Sequence, residues 1–506
     1  MKKGQFLLNT VAFSSATLVS RILGYLRDAT VAFVFGASPL TDAFFVAWRL
    51  PNTLRQLIGE GSFNAAFIPI FTEEEKKSEK SAKEFASSLF TYYTLVLSFI
   101  TVFVVLFADF FVKVLAPGFI QKGNFDETVK LVKIVFPYLV LIGWVSFFMA
   151  LLNTRNRFFL PALTPALLNL SFIFSALFLS GYFGIYSLAY GALIGGFLQV
   201  FILVPLLKKE NLLLKPSLVF HEKIKTTFKR LLPAFASFGV SQFAFVIDTV
   251  IASFLIGGAI SYLYYGNRIF LLPMGLFAIG LGNALLVSLS KHFSNKDFKS
   301  FNHDVNMGIK LSLFISVPAT IGMLVLGKDI IDVLLLRGAF TGKDSVFTYY
   351  ALAGYSLGLT GYALTRPFKS AFFAIGDTKT PLYSTIFGLF IGIISAIVFG
   401  FALRWGVFGL SFASSLGGWA NALYLYFVYP FEIEKKYIFV SFLKVLFSSV
   451  LMGFFVFSLK VFSGSEFFTV VVGIPLAVFV YFLLSYIIKE ESFLFFTGIL
   501  KEKLKK

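Results

Sequence analysis

Long apolar stretches separated by short polar connectors run through the whole chain. A helix needs about 20 mostly apolar residues to cross the hydrocarbon core of a bilayer, and such stretches recur about fourteen times here. The predicted spans cover residues 6–35, 40–70, 85–112, 130–152, 160–180, 186–207, 231–257, 262–290, 308–327, 346–372, 381–402, 406–430, 437–460 and 467–488. This pattern predicts an all-α polytopic membrane protein.

Four matches at a nearly constant spacing indicate that the chain is duplicated. The sixth and twelfth spans share a pattern that begins at Gly184 and Gly406, 222 positions apart, and the first and seventh share one at Asp28 and Asp248. Two shorter matches are Pro165 with Pro381, and Gly118-Phe119 with Ala339-Phe340. Each copy holds six spans, an even number, which predicts parallel repeats related by an axis along the membrane normal.

The repeat predicts an N-lobe, a basic linker, a C-lobe and an appended pair of helices. The boundaries are 1–208 for the N-lobe with helices one to six, 209–228 for the linker, 229–430 for the C-lobe with helices seven to twelve, and 431–506 for the last two helices and the tail. The first span is too long and too charged to be a cleavable signal peptide.

Composition and charge agree with a membrane protein and narrow its partners. The chain is 58% hydrophobic and 14% charged, whereas soluble domains average about 25% charged residues. The net charge of +18 could indicate nucleic-acid binding, but the Lys and Arg residues concentrate in connectors on one side, such as 208–230. Positive connectors mark the cytoplasmic side, so both termini are predicted to be cytoplasmic and no nucleic-acid partner is expected. Cysteine is absent, which excludes disulfides and thiol chemistry.

Charged residues inside the predicted spans point most directly to a site. Span one carries Arg21, Arg27 and Asp28, span two carries Asp42, Arg49, Asn52, Arg55 and Glu60, and span eight carries Arg268. A central Arg or Asp costs about 2.5–3.5 kcal/mol on insertion scales, so such residues are expected to face water or partners. The second half holds Asp248 and Arg268 with little else, which favours a site for one oriented anionic headgroup over a symmetric drug pore.

The spacing of these charges places them on common helix faces. Arg49 lies seven residues after Asp42, which is two turns, and Asn52 lies three residues before Arg55. A guanidinium offers a planar fork that suits phosphate or carboxylate, so an arginine-rich stripe predicts an anionic ligand. The alternative is that these residues form interhelical salt bridges or reach the membrane surface from helix ends.

At these residues the sequence resembles the MurJ (MviN) family of lipid II flippases, within the multidrug/oligosaccharidyl-lipid/polysaccharide exporter superfamily. The run Ser-Arg-Ile-Leu-Gly-Tyr-Leu-Arg-Asp at 20–28 resembles the family's first-helix motif. The second-helix motif is represented at 42–47, 51–55 and 60–69, and second-half motifs at 264–268 and 376–381. The likeness extends over all the predicted spans.

The resemblance implies a flippase that moves lipid II from the cytoplasmic to the outer leaflet of the bacterial inner membrane by alternating access. It implies substrate binding by Arg27, Asp28, Arg55 and Arg268, with supporting or gating roles for Arg21, Asp42, Arg49, Asn52 and Glu60. It also implies a groove for the polyprenyl tail beside the last two helices. The implied partners are lipid II and membrane lipids, with other cell-wall synthesis proteins as further candidates.

Two departures from the family pattern affect the expected site. Asn267 stands where many members have Asp, which removes a partner for Arg268. Some members bind sodium through an Asp on the seventh helix and an Asn or Asp on the eleventh. Asp248 fits the first position as a site for a monovalent cation, Na⁺, but residues 383–399 contain neither Asn nor Asp, which argues against sodium coupling. No other cofactor is expected.

Three other functions compete with this reading. The first is an exporter of another polyprenyl-diphosphate-linked glycan or amphipathic substrate, and only the motif at 20–69 argues against it. An intramembrane enzyme on polyprenyl phosphates would need a carboxylate cluster for Mg²⁺ or a placed general base, and the acidic run at 73–75 is interpreted as a solvated loop offset by adjacent lysines. A channel fits less well, because Pro and Gly breaks inside the spans suit moving lobes better than a fixed filter.

Overall fold

The computed structural model describes residues 3–59, 62–275, 279–495 and 497, and the regular structure within these ranges is helical. The α-helices are α1 Lys3–Phe35, α2 Pro39–Gly59, α3 Ser62–Lys77, α4 Glu79–Leu106, α5 Ala108–Leu115, α6 Gly118–Lys122, α7 Phe125–Val135, α8 Tyr138–Thr154, α9 Phe159–Phe174, α10 Ser180–Phe183, α11 Tyr186–Lys209, α12 Lys223–Phe254, α13 Ala259–Pro273, α14 Ile279–Ser294, α15 Phe298–Leu335, α16 Gly342–Ser356, α17 Leu359–Ala374, α18 Lys379–Ile397, α19 Gly406–Val428, α20 Lys435–Ser463, α21 Glu466–Val471 and α22 Gly473–Ile487. The predicted all-α class is confirmed.

Eight helical stretches within the described ranges are long and apolar enough to cross a membrane. They are Glu79–Leu106, Phe125–Thr154, Phe159–Phe183, Tyr186–Lys209, Phe298–Leu335, Lys379–Ala402, Lys435–Ser463 and Glu466–Ile487. Some predicted spans consist of two helices, since the span at 130–152 lies on α7 and α8, which join next to Pro137. A proline lacks the N–H that would continue the helical ladder. The prediction of about fourteen crossings remains a prediction.

The chain divides into two compact units. The first unit contains the residues up to Ile260 together with the short segment Arg337–Phe340, and the second contains Ser261–Leu336 and the residues from Thr341 onward. The repeat boundaries predicted from the sequence, 1–208 and 229–430, concern the duplication and remain a prediction.

An aromatic cluster in the first unit joins helices α2, α8 and α9. Trp48 on α2 lies 5.1 Å from the Tyr138 ring and 5.2 Å from the Phe172 ring, measured between centroids. All three side chains are buried. Such ring pairs add about 0.5–1.5 kcal/mol beyond the area that they bury, so the cluster fixes α2, the helix that carries Asp42, Arg49 and Arg55.

Two similar docking contacts occur at the ends of α1 and α12. Next to the end of α1, the Ala339 amide donates to the Phe33 carbonyl at 2.8 Å. Gly36 has φ +64°, and a Cβ there would lie 2.5 Å from the Ala339 carbonyl oxygen, so both its conformation and its contact require glycine. Near the end of α12, the Gly118 amide donates to Ser253 Oγ at 3.0 Å. Phe33 and Ser253 are 220 positions apart, and Gly118 and Ala339 are 221 apart.

Matching backbone irregularities also recur at the repeat spacing. π-Helical turns lie at Ser175–Leu179 and Val398–Ala402. Each is followed within a few residues by a glycine with positive φ, Gly184 at 55° shortly before α11 and Gly406 at 61° at the start of α19. π-Helical turns are rare and result from specific local sequence, so their repetition at this spacing is consistent with duplication.

In the second unit the last two long helices pack against α15. Tyr481 on α22 donates its hydroxyl to the Phe314 carbonyl on α15 at 2.7 Å, and the two rings lie 5.1 Å apart. Buried Met452 and Val456 on α20 join the same hydrophobic cluster. Helices from the appended segment 431–506 therefore belong to the core of this unit.

The acidic run at 73–75 lies on α3, and its prediction as a solvated loop is wrong. The ion pairs are Glu73 with Lys223 at 2.9 Å, Glu74 with Lys77 at 2.6 Å and Glu75 with Arg155 at 2.5 Å. Glu74 is only 2% exposed. The carboxylates of Glu73 and Glu75 join α3 to the start of α12 and to the end of α8, so part of the triplet is a structural connection within the first unit.

Candidate anion-binding site

Arg27 on α1 contacts a carboxylate, an amide and an aromatic ring. Its Nη2 and Nε atoms donate to Asp28 Oδ1 at 2.7 and 3.0 Å, and its Nη1 donates to Asn169 Oδ1 on α9 at 3.2 Å. The guanidinium carbon lies 5.7 Å from the centroid of the Phe172 ring. The Asn169 amide is itself fixed, since its Nδ2 donates to the Ser20 carbonyl at 3.0 Å.

This arrangement orients a cation that is mostly removed from solvent. The Arg27 and Asp28 side chains are 12% and 8% exposed. A carboxylate, an amide and an aromatic face restrict the guanidinium to one direction, which is the preorganisation that an anion-binding group needs. Asp28 holds the guanidinium of Arg27, and the substrate-binding role of the two residues remains a prediction.

Polar residues on α2 connect that helix to the end of α12 and the loop after it. The Asp42 carboxylate, 2% exposed, accepts the Gly258 amide N–H at 2.7 Å. Arg49 Nη1 donates a short hydrogen bond to the Thr249 hydroxyl on α12. Asp42 and Arg49 therefore take part in interhelical contacts within the first unit, and the supporting or gating role predicted for them remains a prediction.

Six residues after Arg49 on α2, Arg55 is positioned by its own helix. Its Nε donates to Asn52 Oδ1 at 3.1 Å, as the three-residue spacing predicts. Pro51 lies inside this helix, where its missing N–H weakens the ladder one turn away. The pair Asn52 and Arg55 is half-buried.

The other predicted residues are less closely connected to this group. Arg21 is exposed on α1. Arg268, on α13 of the second unit, lies with its guanidinium carbon 5.9 Å from the Tyr264 ring centroid. Glu60 falls outside the described residues.

Asp248 lies half-buried on α12, next to the Thr249 that accepts from Arg49. Over the described ranges, no group of three or more His, Asp or Glu side chains is arranged to hold a metal ion. Carboxylate, carbonyl and hydroxyl oxygens from several residues normally surround a hard cation. The monovalent cation site at Asp248 remains a prediction.

The expectation that the second half holds little intramembrane charge beyond Asp248 and Arg268 is wrong. Helix α17 carries Arg366 and Lys369, both half-buried. They lie within the predicted span 346–372, so counting charges in that span would have found them. By contrast, Asn169 and Thr249 carry no charge, and no local signal in the sequence marks them as partners of arginines.

A family model described as "Lipid II flippase MurJ" matches residues 31–487 of this chain. A protein of Aquifex aeolicus named "Probable lipid II flippase MurJ" is 34% identical over 482 residues, which are 95% of this chain and 94% of that protein. A protein of the same name from Haemophilus influenzae is 32% identical over 462 residues, 86% of this chain and 89% of that protein.

Solved structures give a similar result. A lipid II flippase MurJ in an inward closed conformation matches with a TM-score of 0.81 at 33% identity, covering 94% of this chain and 98% of that chain. An inward-facing multidrug resistance MATE family transporter matches with a TM-score of 0.66 over 82% of this chain and 96% of that chain. At 13% identity the second match concerns the fold alone.

Proposed function

The chain belongs to the MurJ family of lipid II flippases, and we propose from this membership that it moves lipid II from the cytoplasmic to the outer leaflet of a bacterial inner membrane. The observation that carries the proposal is the agreement with relatives and a solved structure of this family over nearly the whole chain. The protein is a transporter and not an enzyme.

The ligand of the first unit is, in this proposal, the diphosphate of lipid II. Arg27 and Arg55 supply the guanidinium groups, Asp28 and Asn52 orient them, and Asp42 and Arg49 support the helix that carries Arg55. Charge-assisted bidentate bonds from Arg to phosphate are about twice as strong as neutral hydrogen bonds. Arg268 of the second unit, Arg21 and Glu60 belong to the proposal on the strength of the sequence motif.

We also propose an architecture of fourteen membrane helices in two parallel six-helix repeats, followed by a two-helix hairpin. The repeated π-helical turns, the paired glycines Gly184 and Gly406, and the two related docking contacts at Phe33 and Ser253 support it. The concentration of Lys and Arg on one side supports cytoplasmic termini. Lobes that are related by an axis along the membrane normal rock against each other around a fixed site in alternating access.

Two further partners complete the proposal. A monovalent cation bound at Asp248 would lie next to the contact between Arg49 and Thr249 on α12. Enzymes that polymerise the peptidoglycan precursor must take up lipid II at the outer leaflet, which makes other cell-wall synthesis proteins candidate partners.

Complementation tests the proposed function. The gene is expressed in cells depleted of their own lipid II flippase, and survival with continued peptidoglycan synthesis is the expected result. Arg157→Ala serves as the matched control for variants at Arg27, because Arg157 pairs with Glu210 on an exposed connector. Failure of the wild-type chain, at membrane abundance equal to that of a known flippase, would contradict the proposal.

A further inference from the structure

Two cations on helix α17 of the second unit have no role in the site described above. Arg366 and Lys369 are three positions apart, so their side chains lie on one face of the helix with Cβ atoms about 5–6 Å apart. Both are half-buried inside a span predicted to lie in the membrane. A pair of like charges at this spacing is unfavourable unless something offsets it.

The neighbouring helices pack against both side chains. On α14, Gly282 lies beside the arginine stem, where a Cβ would make ordinary contacts of 3.6 and 3.7 Å with Arg366 Cβ and Cδ. The Ser370 hydroxyl donates to the Gly282 carbonyl at 2.9 Å and ties the two helices together. On α18, the Thr385 hydroxyl accepts a hydrogen bond from Lys369 Nζ at 3.0 Å.

The Thr385 contact shows that the ammonium group is held inside the unit. Thr385 Oγ1 also donates to the Pro381 carbonyl at 2.8 Å, so its lone pair points to Lys369 and its proton does not. A lysine near a helix end usually extends its ammonium group to the membrane surface. Lys369 instead bonds to the side of an adjacent helix, about 8 Å from the end of α17 at 1.5 Å per residue.

Neither cation forms an ion pair with an acidic side chain in the described part of the chain. Taking a charge out of water costs several kcal/mol even after relaxation, and an opposite charge normally offsets that cost. The first-unit Arg27 has Asp28 for this purpose. Within the described residues, Arg366 and Lys369 therefore present two positive charges without an acidic partner to whatever occupies the space beside them.

The first repeat shows that the fold itself does not need these cations. The turn after α8, where the Arg157 amide donates to the Leu152 carbonyl at 3.0 Å, matches the turn after α17, where the Asp377 amide donates to the Phe372 carbonyl at 2.9 Å. The spacing is 220 positions, which pairs Arg366 with Ser146 and Lys369 with Met149.

Both counterparts in the first repeat are uncharged and locally satisfied. The Ser146 hydroxyl donates to the Ile142 carbonyl of its own helix, and the Met149 sulfur accepts from the Thr164 hydroxyl at 3.7 Å. The contact from this position to a hydroxyl on the following helix is thus kept in both halves. The second repeat differs in carrying positive charges at these two positions.

We propose that Arg366 and Lys369 form an anion site in the second unit that binds a phosphate group, with Thr385 positioning the ammonium of Lys369. Lysine has three donors and uses one for Thr385, and the guanidinium of Arg366 offers a fork that matches phosphate oxygens. The phosphate can come from a lipid headgroup or from free phosphate in the adjoining solution. This proposal does not depend on the proposed transport of lipid II.

Binding to the purified full-length protein tests the site without any transport assay. Inorganic pyrophosphate is titrated calorimetrically, with the wild type and every variant of this comparison also carrying Arg27→Ala so that the proposed first-unit site does not take up the probe. Phosphatidylglycerol bound to the protein is counted against phosphatidylcholine by native mass spectrometry. We expect the wild type to bind at least one of the two phosphate probes, and the double variant Arg366→Ser with Lys369→Met to bind it about 100-fold more weakly, at about tenfold per cation removed. Lys343→Met, which removes an exposed lysine of the same unit, is the matched control and should bind as the wild type does.

The two probes distinguish the source of the phosphate, since pyrophosphate binding alone indicates free phosphate and phosphatidylglycerol binding indicates a lipid headgroup. If the double variant does not fold, Lys369→Met is compared with Lys369→Arg, and the arginine must retain binding that the methionine loses. The proposal is overturned if the wild type binds neither probe, or if the variants without cations bind as tightly as the wild type.

Discussion

Two groups of intramembrane cations in this molecule are treated in opposite ways by their surroundings. Arg27 in the first unit has a carboxylate, an amide and an aromatic ring around its guanidinium group. In the second unit, Lys369 donates to the Thr385 hydroxyl, and neither Arg366 nor Lys369 has an acidic partner among the residues described. A cation with fixed partners is oriented for a ligand and also stabilises its helices, whereas a cation without an acidic partner depends on a ligand for compensation.

The largest effect is expected on transport, at Arg27. Arg27→Ala removes an oriented guanidinium, and Arg27→Lys keeps the charge but loses the planar fork and the simultaneous contacts to Asp28 and Asn169. We expect each variant to lower lipid II transport about 100-fold, a loss that corresponds to about 2.7 kcal/mol. The measurement is transport into the outer leaflet of proteoliposomes at matched protein abundance, with Arg157→Lys as the control.

The comparison also predicts that removing Arg27 and removing Lys369 change the free energy of unfolding in opposite directions. Arg27→Met leaves Asp28 without its counter-charge and should lower the free energy of unfolding by about 3 kcal/mol. Lys369→Met removes an uncompensated cation and should raise it by about 1 kcal/mol. Denaturant unfolding in one zwitterionic detergent without phosphate measures both.

Met149→Lys is the reciprocal control for this pair, because it places a cation at the matched position of the first repeat and should be destabilising. If Lys369→Met lowers stability as much as Arg27→Met, then Lys369 has a compensating partner and the contrast between the two units is wrong.

A smaller effect is expected at Asn169. Asn169→Ala keeps the ion pair of Arg27 with Asp28 but removes the amide oxygen that accepts from Nη1 of the guanidinium group. Transport should fall about tenfold, equivalent to about 1.4 kcal/mol, while the protein remains folded. Asn169→Asp should weaken transport as well, since a second carboxylate would compete with an anionic ligand for Arg27. Unchanged transport by both variants would show that Asp28 alone orients the arginine.

The sequence predicted contacts between residues that are close along the chain and missed contacts between residues that are far apart along it. Arg27 with Asp28 and Asn52 with Arg55 are close in sequence, so helical spacing was enough to group them. Asn169 reaches Arg27 across 142 positions, and one uncharged polar residue in an apolar helix has no pattern that distinguishes it. Backbone irregularities such as the break near Pro137 were also missed, because the length of an apolar stretch does not show where one helix ends and another begins.

The second-unit cations differ, because the sequence itself contains them. Arg366 and Lys369 lie in the span 346–372, outside the motifs that carry the family resemblance. Their burial and their lack of an acidic partner in the described chain depend on the packing of α14 and α18 around α17, which no spacing rule provides.

The smallest effect concerns pH and a carboxylate outside the membrane spans. Hydrogen bonds from Lys77 and then Ser81 lower the pKa of Glu74 below its ordinary value of 4.5. The ionised form is therefore the stabilising one, and its contribution is present above pH 4.5 and is lost as the pH falls through the lowered pKa. The unfolding difference between the wild type and Glu74→Gln should be below about 1 kcal/mol at neutral pH and should vanish in acid.

Glu84→Gln is the control for this pH series, because Glu84 is exposed and its ion pair with Lys80 is long, at 3.9 Å. Its stability should follow that of the wild type at every pH. A Glu74→Gln difference that grows as the pH falls would reverse the sign of the predicted linkage.

The central claim is that an oriented arginine in the first unit binds the diphosphate of lipid II, and direct binding tests it most clearly. Lipid II is titrated against the purified protein in nanodiscs, for the wild type, Arg27→Lys and the control Arg157→Lys. We predict that Arg27→Lys binds at least about tenfold more weakly than the wild type, while Arg157→Lys binds equally well. Equal affinity of a folded Arg27→Lys variant for lipid II would contradict the claim.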